Sequence, residues 1–145
     1  MLPPFAMIPF QNPPLETLRQ LVVPPQTLAV VGLSPNPARP SHGVARAMQR
    51  FGFHIIPVRP GVGQVLGERA YRRLEEVQEP VDIVVVFRAP EQIGPVVDAC
   101  IARNDRCLWL QDGVVNVDEA ERAQAAGIMV VMDRCIWRDY VQWRT

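Results

Sequence analysis

Lysine is absent from this chain of 145 residues, and arginine carries all 15 of its basic charges. That excludes Schiff-base chemistry and a P-loop lysine, and it leaves arginine as the only permanent cation for a phosphate. A net charge of one sign is also missing, since 15 acidic residues balance the arginines. Bulk attraction to nucleic acid or to an anionic membrane is therefore not expected. Cysteine is scarce. Cys100, Cys107 and Cys135 are odd in number and lack paired metal-ligand spacing, so neither a disulfide framework nor a metal site is expected. Cys100 and Cys107 lie in apolar segments and read as inert thiols of a reducing cytoplasm. No apolar run approaches the ~20 residues of a membrane span. Residues 1–10 are apolar but broken by prolines and lack a basic leader, so they do not read as a signal peptide. Residues 1–14 are expected to form an extended arm, either disordered or laid on a neighbouring surface.

What the chain does have is a strand, a small-residue turn and a helix in direct succession. Leu28, Ala29, Val30 and Val31 form an apolar run that stops at Gly32. A loop of Pro, Ser and Asn follows, and Ser41 stands at the start of a helical pattern in which Val44, Met48 and Phe51 recur. This is the first half of a βαβ unit, in which turn amides and a helix N-terminus face an open crevice suited to phosphate.

The same alternation continues along the chain. Asn12 reads as the cap of a helix running to about Val22. Phe53 to Val58 is the second strand, and Val65 to Gly67 suggests a brief edge strand. Tyr71 to Val77 allows one or two helical turns. Val81 to Phe87 is a continuous apolar run of the kind a parallel strand covered on both faces requires. Pro90 opens a helix striped by Ile93, Val96, Val97, Cys100 and Ile101. Cys107 to Leu110 is the next strand. Asn116 with Glu119 resembles a capping box before an Ala-rich helix that ends at Gly127. Ile128 to Met132 is the last strand, and Asp133 to Trp143 has the makings of a short helix. The pattern predicts an α/β fold: a doubly wound, Rossmann-like parallel sheet in a single domain over residues 15–145.

In such a sheet the ligand lies beyond the carboxyl ends of the strands. Those ends are Gly32-Leu33-Ser34, Val58-Arg59, Phe87-Arg88-Ala89, Gln111-Asp112-Gly113 and Asp133-Arg134, and three of the five carry an arginine. A G-x-G-x-x-G fingerprint with an acid closing the second strand would indicate NAD. Here Gly32 is followed by Leu33 and Ser34, and Arg59 stands where the acid would be. An arginine at that place suits a phosphate on the ribose, which leaves NADP and coenzyme A as the candidate ligands.

Catalytic equipment is not visible: there is no Ser-His-acid set, no carboxylate pair and no metal cluster. His42 reads as a polar cap and His54 as structural. Asp112 and Asp133 read as turn or cap residues, with acid–base work the less favoured role. Cys135 reads as a structural thiol, with a mixed disulfide to CoA as the alternative if it is exposed.

Taken together, V-V-G-L-S-P-N-P-A-R-P-S, I-I-P-V-R-P, V-V-V-F-R, W-L-Q-D-G-V-V-N and A-A-G-I-M-V-V-M-D-R-C-I resemble the stand-alone CoA-binding proteins. Their fold is similar to the N-terminal domain of the succinyl-coenzyme A synthetase α subunit. The resemblance spans Leu15 to Ile136. It implies that Gly32, Leu33 and Ser34 meet the CoA phosphates, and that Val58, Arg59, Phe87, Arg88, Ala89, Gln111, Asp112 and Gly113 complete the pocket. The synthetase's lysine beyond the second strand is missing, so Arg59 or Arg39 would supply that charge, with Ser41 at the helix start. The synthetase's catalytic domain has no counterpart after Met132. The expected function is CoA or acyl-CoA binding as a carrier, sensor or regulatory module. The alternatives are an NADP-dependent oxidoreductase, an acyl-CoA ligase component that needs a partner subunit, and an interaction module with a vestigial pocket. Residues 1–10 together with Trp137, Tyr140 and Trp143 read either as a docking surface for a second copy or a partner protein or, equally, as ends that pack on their own domain.

Overall fold

The computed structural model describes residues 10–144. Five parallel strands, β1 (Thr27–Val31), β2 (His54–Val58), β5 (Ile83–Val86), β6 (Cys107–Leu110) and β7 (Met129–Met132), form one sheet in the order β2-β1-β5-β6-β7. Two further strands, β3 (Gln64–Val65) and β4 (Glu68–Arg69), make an antiparallel hairpin whose turn at Leu66 and Gly67 has positive φ at both residues. The helices are α1 (Leu15–Leu21), α2 (Pro40–Arg50), α3 (Ile93–Arg103), α4 (Val117–Ala125) and α5 (Ile136–Trp143).

Strand alternation divides the core in two. Leu28, Val30, Ile55, Ile83, Val85 and Trp109 point to the side covered by α1, α2 and α5. Ala29, Val31, Ile56, Val84, Val86 and Leu108 point to the side covered by α3 and α4. Both faces are buried, which is why β5 and β6 have no polar residue at all. Trp109 is fully buried, and its Nε1 donates to the Arg134 carbonyl at 2.8 Å, so the one polar atom of the ring is satisfied.

Several local expectations change. Helix α1 begins after Pro14, with no side-chain cap. Asn12 instead exchanges two hydrogen bonds with Met132, its amide donating at 3.0 Å and its oxygen accepting at 2.7 Å. The side chain thus takes the place of a backbone partner on edge strand β7. The Ile101 side of α3 faces solvent, so the buried stripe ends at Cys100. Asn116 does cap α4, accepting from the Glu119 amide at 3.1 Å, while the Glu119 carboxylate turns to Arg122. Tyr71 to Val77 holds only a 3-10 turn at Leu74–Glu76, and Tyr71 pairs alongside Val58 at the sheet edge.

At the two chain ends, packing on the chain's own domain accounts for most of the described aromatic residues. Residues 1–9 lie outside the described residues, while Phe10 packs against the core. At the other end Tyr140 meets Phe53 edge-on with ring centroids 5.3 Å apart, and Trp143 packs against the same cluster. The domain itself uses both rings, and only Trp137 remains exposed. Among the described residues no helix is long and apolar enough to cross a membrane.

All three thiols are buried. Burial raises the Cys107 pKa to about 12, and burial with the neighbouring Asp105 carboxylate raises that of Cys100 further. A raised pKa leaves the thiol protonated at neutral and mildly alkaline pH, so both should be unreactive while the fold is intact. A thiol reagent at pH 8 is expected to modify Cys100 and Cys107 only at the rate of unfolding, as mass mapping of the labelled peptides would show. Rapid labelling of either in the native protein would contradict this packing.

Candidate functional site

The site begins at the end of β1. Gly32 has φ +85°, its N–H donates to the Val58 carbonyl at 2.8 Å, and a Cβ built on it would lie 2.2 Å from the Phe87 carbonyl oxygen. Any larger residue would have to displace the end of β5. Glycine is therefore required both by conformation and by close approach. The loop after it is largely self-satisfied. Ser34 N–H donates to Ser41 Oγ at 2.9 Å, Asn36 N–H to Ser34 Oγ at 3.1 Å, and Ala38 N–H to Asn36 Oδ1 at 2.9 Å. The amides of Arg39, His42 and Gly43 are taken by carbonyls within the loop. The Leu33 and Ser41 N–H groups have no acceptor among the described residues, and of the two residues only Ser41 lines the crevice.

This arrangement refines the expected site residues. Leu33 is fully buried and packs in the core beneath the turn. Ser41 is the second residue of α2 rather than its cap, and its hydroxyl braces the loop. Arg39 occupies the cap position without a side-chain cap bond and stands exposed. Arg59 Nη1 donates to the Gly32 carbonyl at 3.3 Å, which ties the end of β2 to the turn. Arg88 follows β5, and its Nε is buried with no acceptor among the described residues. A buried donor without an acceptor is a costly arrangement that a bound anion would relieve.

Two cavities flank Gly32. One, of about 340 Å³, is lined by Gly32, Ser34, Arg39, Ser41, Arg59 and Phe87. The other, of about 270 Å³, is lined by Gly32, Arg59, Phe87, Arg88, Ala89 and Gln92. No carboxylate lines either one. Three guanidinium groups thus converge on one turn without a counter-charge, a field suited to a polyphosphate. A third cavity of about 430 Å³ continues from Phe87 and Arg88 past Gln111, Asp112 and Val114 to Cys135.

The remaining strand-end residues are committed to the fold. The buried Gln111 side chain accepts from the Ile136 N–H at 2.9 Å, so it caps α5 and only borders the third cavity. Asp112 forms a bidentate pair with Arg138 at 2.8 and 2.9 Å, which holds its carboxyl below the usual carboxylate range. Asp133 has φ +61° and accepts from Gly113 N–H at 2.8 Å, tying two loops together. Gly113 lines none of these three cavities. Val58 is buried and shapes the crevice from beneath. Arg134, the third strand-end arginine, is held by the buried Asp139 at 2.7 Å. His42 is buried in the first turn of α2, and its Nδ1 meets no partner, so it does not cap the helix. His54 opens β2 at the opposite end of the sheet and faces Glu79 at 3.6 Å.

Two arginines that the strand-end rule does not select, Arg72 and Arg73, line a further cavity of about 310 Å³ with Pro60 and Arg88. They precede β5 instead of following a strand. The pairing of Tyr71 beside β2 brings them there, and no periodicity in the sequence marks that pairing.

A family model described as a CoA binding domain matches residues 26–140, a span that contains the turn, both flanking arginines and the third cavity. The chain belongs to this CoA-binding domain family. A Bacillus subtilis (strain 168) relative, the uncharacterized protein YneT, is 39% identical over 126 residues, covering 87% of this chain and 93% of its own. The structure of cell-free ID.343 from Thermus thermophilus superposes with a TM-score of 0.86 at 32% identity, over 90% of this chain and 99% of that one. The dinucleotide-forming acetyl-coenzyme A synthetase 1 of Ca. Korarchaeum cryptofilum shares the fold, with a TM-score of 0.62 at 21% identity over 73% of this chain and 25% of its own. The shared fold thus accounts for 73% of this chain and for a quarter of the larger one.

The two glycines of this region should respond to alanine in opposite directions. Gly32→Ala is expected to cost about 3 kcal/mol or more, from the positive φ and the contact with Phe87. Gly43, inside α2 with open space at its Cβ position, should gain about 0.5–1 kcal/mol on becoming alanine. Thermal melts of the two variants would show this, and a neutral Gly32→Ala would contradict the turn geometry.

Proposed function

We propose that this chain is a CoA-binding module that holds CoA or acyl-CoA at the turn after β1 and acts as a carrier, sensor or regulator without itself transforming the ligand. The observation that carries the reading is that Arg39, Arg59 and Arg88 line the two cavities beside Gly32, and that among the described residues no carboxylate lines either one. In a member of the CoA-binding domain family, this concentrates positive charge where the ligand's phosphates would lie. The Ser41 N–H group would meet the pyrophosphate, aided by the N-terminus of α2. Arg59, at the end of β2, would meet the phosphate on the ribose. The residues best suited to catalysis are engaged elsewhere: Asp112 with Arg138, Asp133 with Gly113, and His54 with Glu79. Binding coupled to some other protein's chemistry is the output such a site supports.

Titration calorimetry with CoA and dephospho-CoA tests the assignment of Arg59. Losing a charge-assisted contact costs about 1.5–3 kcal/mol, so CoA should bind about tenfold or more tightly, and Arg59→Ala should remove the difference. Equal affinities in the unmodified chain would move Arg59 out of the site. Binding of NADP but not CoA would replace the reading with the oxidoreductase one, and release of free thiol from acyl-CoA would end the non-catalytic part of it.

A further inference from the structure

Beyond the third cavity the surface opens into a groove of about 600 Å³ between α2 and α5. Its wall is Pro40, Gly43 and Val44 on one side and Trp137 and Val141 on the other, with Cys135 at the junction. Trp137 and Val141 are 41% and 46% exposed, a large apolar area for the surface of a small domain to leave open. The polar residues of the lining are Arg138, which is engaged by Asp112, and Gln142 at the margin.

The groove is continuous with the ligand crevice. Pro40, Val44 and Cys135 line both the groove and the third cavity. Phe87 and Arg88 in turn line both the third cavity and the space beside Gly32. A path therefore leads from the arginine-rich turn through a mixed polar channel to a mainly apolar trough. That order of chemistry matches one kind of molecule: phosphates, then an amide-bearing linker, then a hydrocarbon. Gly43 adds a specific detail. It is a helix-interior glycine with nothing within 4 Å of its Cβ position, so the fold does not need the missing side chain, while the groove is deeper for its absence.

We propose that the α2–α5 groove is an acyl-chain site, and that the physiological ligand is a medium- or long-chain acyl thioester of CoA in preference to CoA itself. This rests on the reading of the turn as a CoA phosphate site. The acyl chain lies between Gly43 and Val141, with Trp137 over it, and the thioester passes Cys135. Each methylene moved from water into the groove contributes about fourfold in affinity until the trough is filled.

The test is calorimetry of the full chain with CoA, acetyl-, butyryl-, octanoyl- and dodecanoyl-CoA, repeated on Gly43→Leu and Val141→Asp. Gly43→Leu fills the groove from a helix position that has space for it, and Val141→Asp places a charge on an exposed position within it. The proposal expects affinity to rise by at least thirtyfold from acetyl- to octanoyl-CoA in the unmodified chain. In both variants that rise should flatten, with unchanged affinity for CoA. Tight CoA binding with a flat chain-length series would overturn the groove while leaving the phosphate site standing. No binding of any member would overturn both. A rise that survives both substitutions would put the chain elsewhere and overturn the assignment. Light scattering on the same samples separates the other occupant of such a face: a dimer that Val141→Asp dissociates and dodecanoyl-CoA does not would give the groove to a second copy of the chain and overturn the proposal.

Discussion

The close approach at Gly32 is the constraint on which the rest of the structure depends. Strand β1 is the centre of the ligand end because β2 flanks it on one side and β5 on the other. At Gly32 the backbone is pinned from both: its N–H to the Val58 carbonyl of β2, its α-carbon against the Phe87 carbonyl after β5. Only a residue without a Cβ lets three strand ends meet so closely. The meeting places Arg59 and Arg88 in one crevice, since they are the first residue past β2 and the second past β5, the strands that the glycine brings together. Helix α2 leaves to one face of the sheet and α3 to the other, which opens the crevice at this point.

Charge beside Gly32 is one-sided. Four arginines elsewhere are paired among the described residues: Arg103 with Asp105, Arg122 with Asp98 and Glu119, Arg134 with Asp139, Arg138 with Asp112. At the turn Arg59 has only a carbonyl, and the Arg88 Nε donates to nothing among the described residues. Arginine suits this work where lysine would not be equivalent, because its planar fork can hold a carbonyl on one side and a phosphate on the other. Under the proposed reading, a polyanion entering the crevice would offset the mutual repulsion of these guanidinium groups.

The sheet was legible in the sequence because both of its faces are buried. Strands such as Ile83–Val86 and Cys107–Leu110 are uninterrupted apolar runs, and glycine, proline or asparagine stands between them and the helices. The glycine turn and the two arginines were legible for the same reason, since a strand end is marked by where the apolar run stops. Side-chain commitments were not. Gln111 and Asp112 stand at a strand end as the rule requires, yet one caps α5 and the other pairs with Arg138, more than 20 residues away in each case. Asn12 looks like a cap locally and is instead bound to Met132, at a separation of 120 residues. Neither the edge pairing of Tyr71 nor the arginines it delivers has any periodic signature. Local pattern specifies where the backbone goes, while long-range partners decide what each polar group has left to offer a ligand.

If the turn after β1 is where the phosphates of CoA are held, the two backbone N–H groups not used by the loop itself are its most direct reporters. Amide proton–nitrogen spectra recorded as CoA is added should show the largest shifts at Leu33 and Ser41, with the arginine side-chain signals of Arg59 and Arg88 moving in step. Shifts confined to the β3–β4 hairpin or to the opposite end of the sheet around His54 and Cys107, with Leu33 and Ser41 unmoved at saturation, would contradict the account.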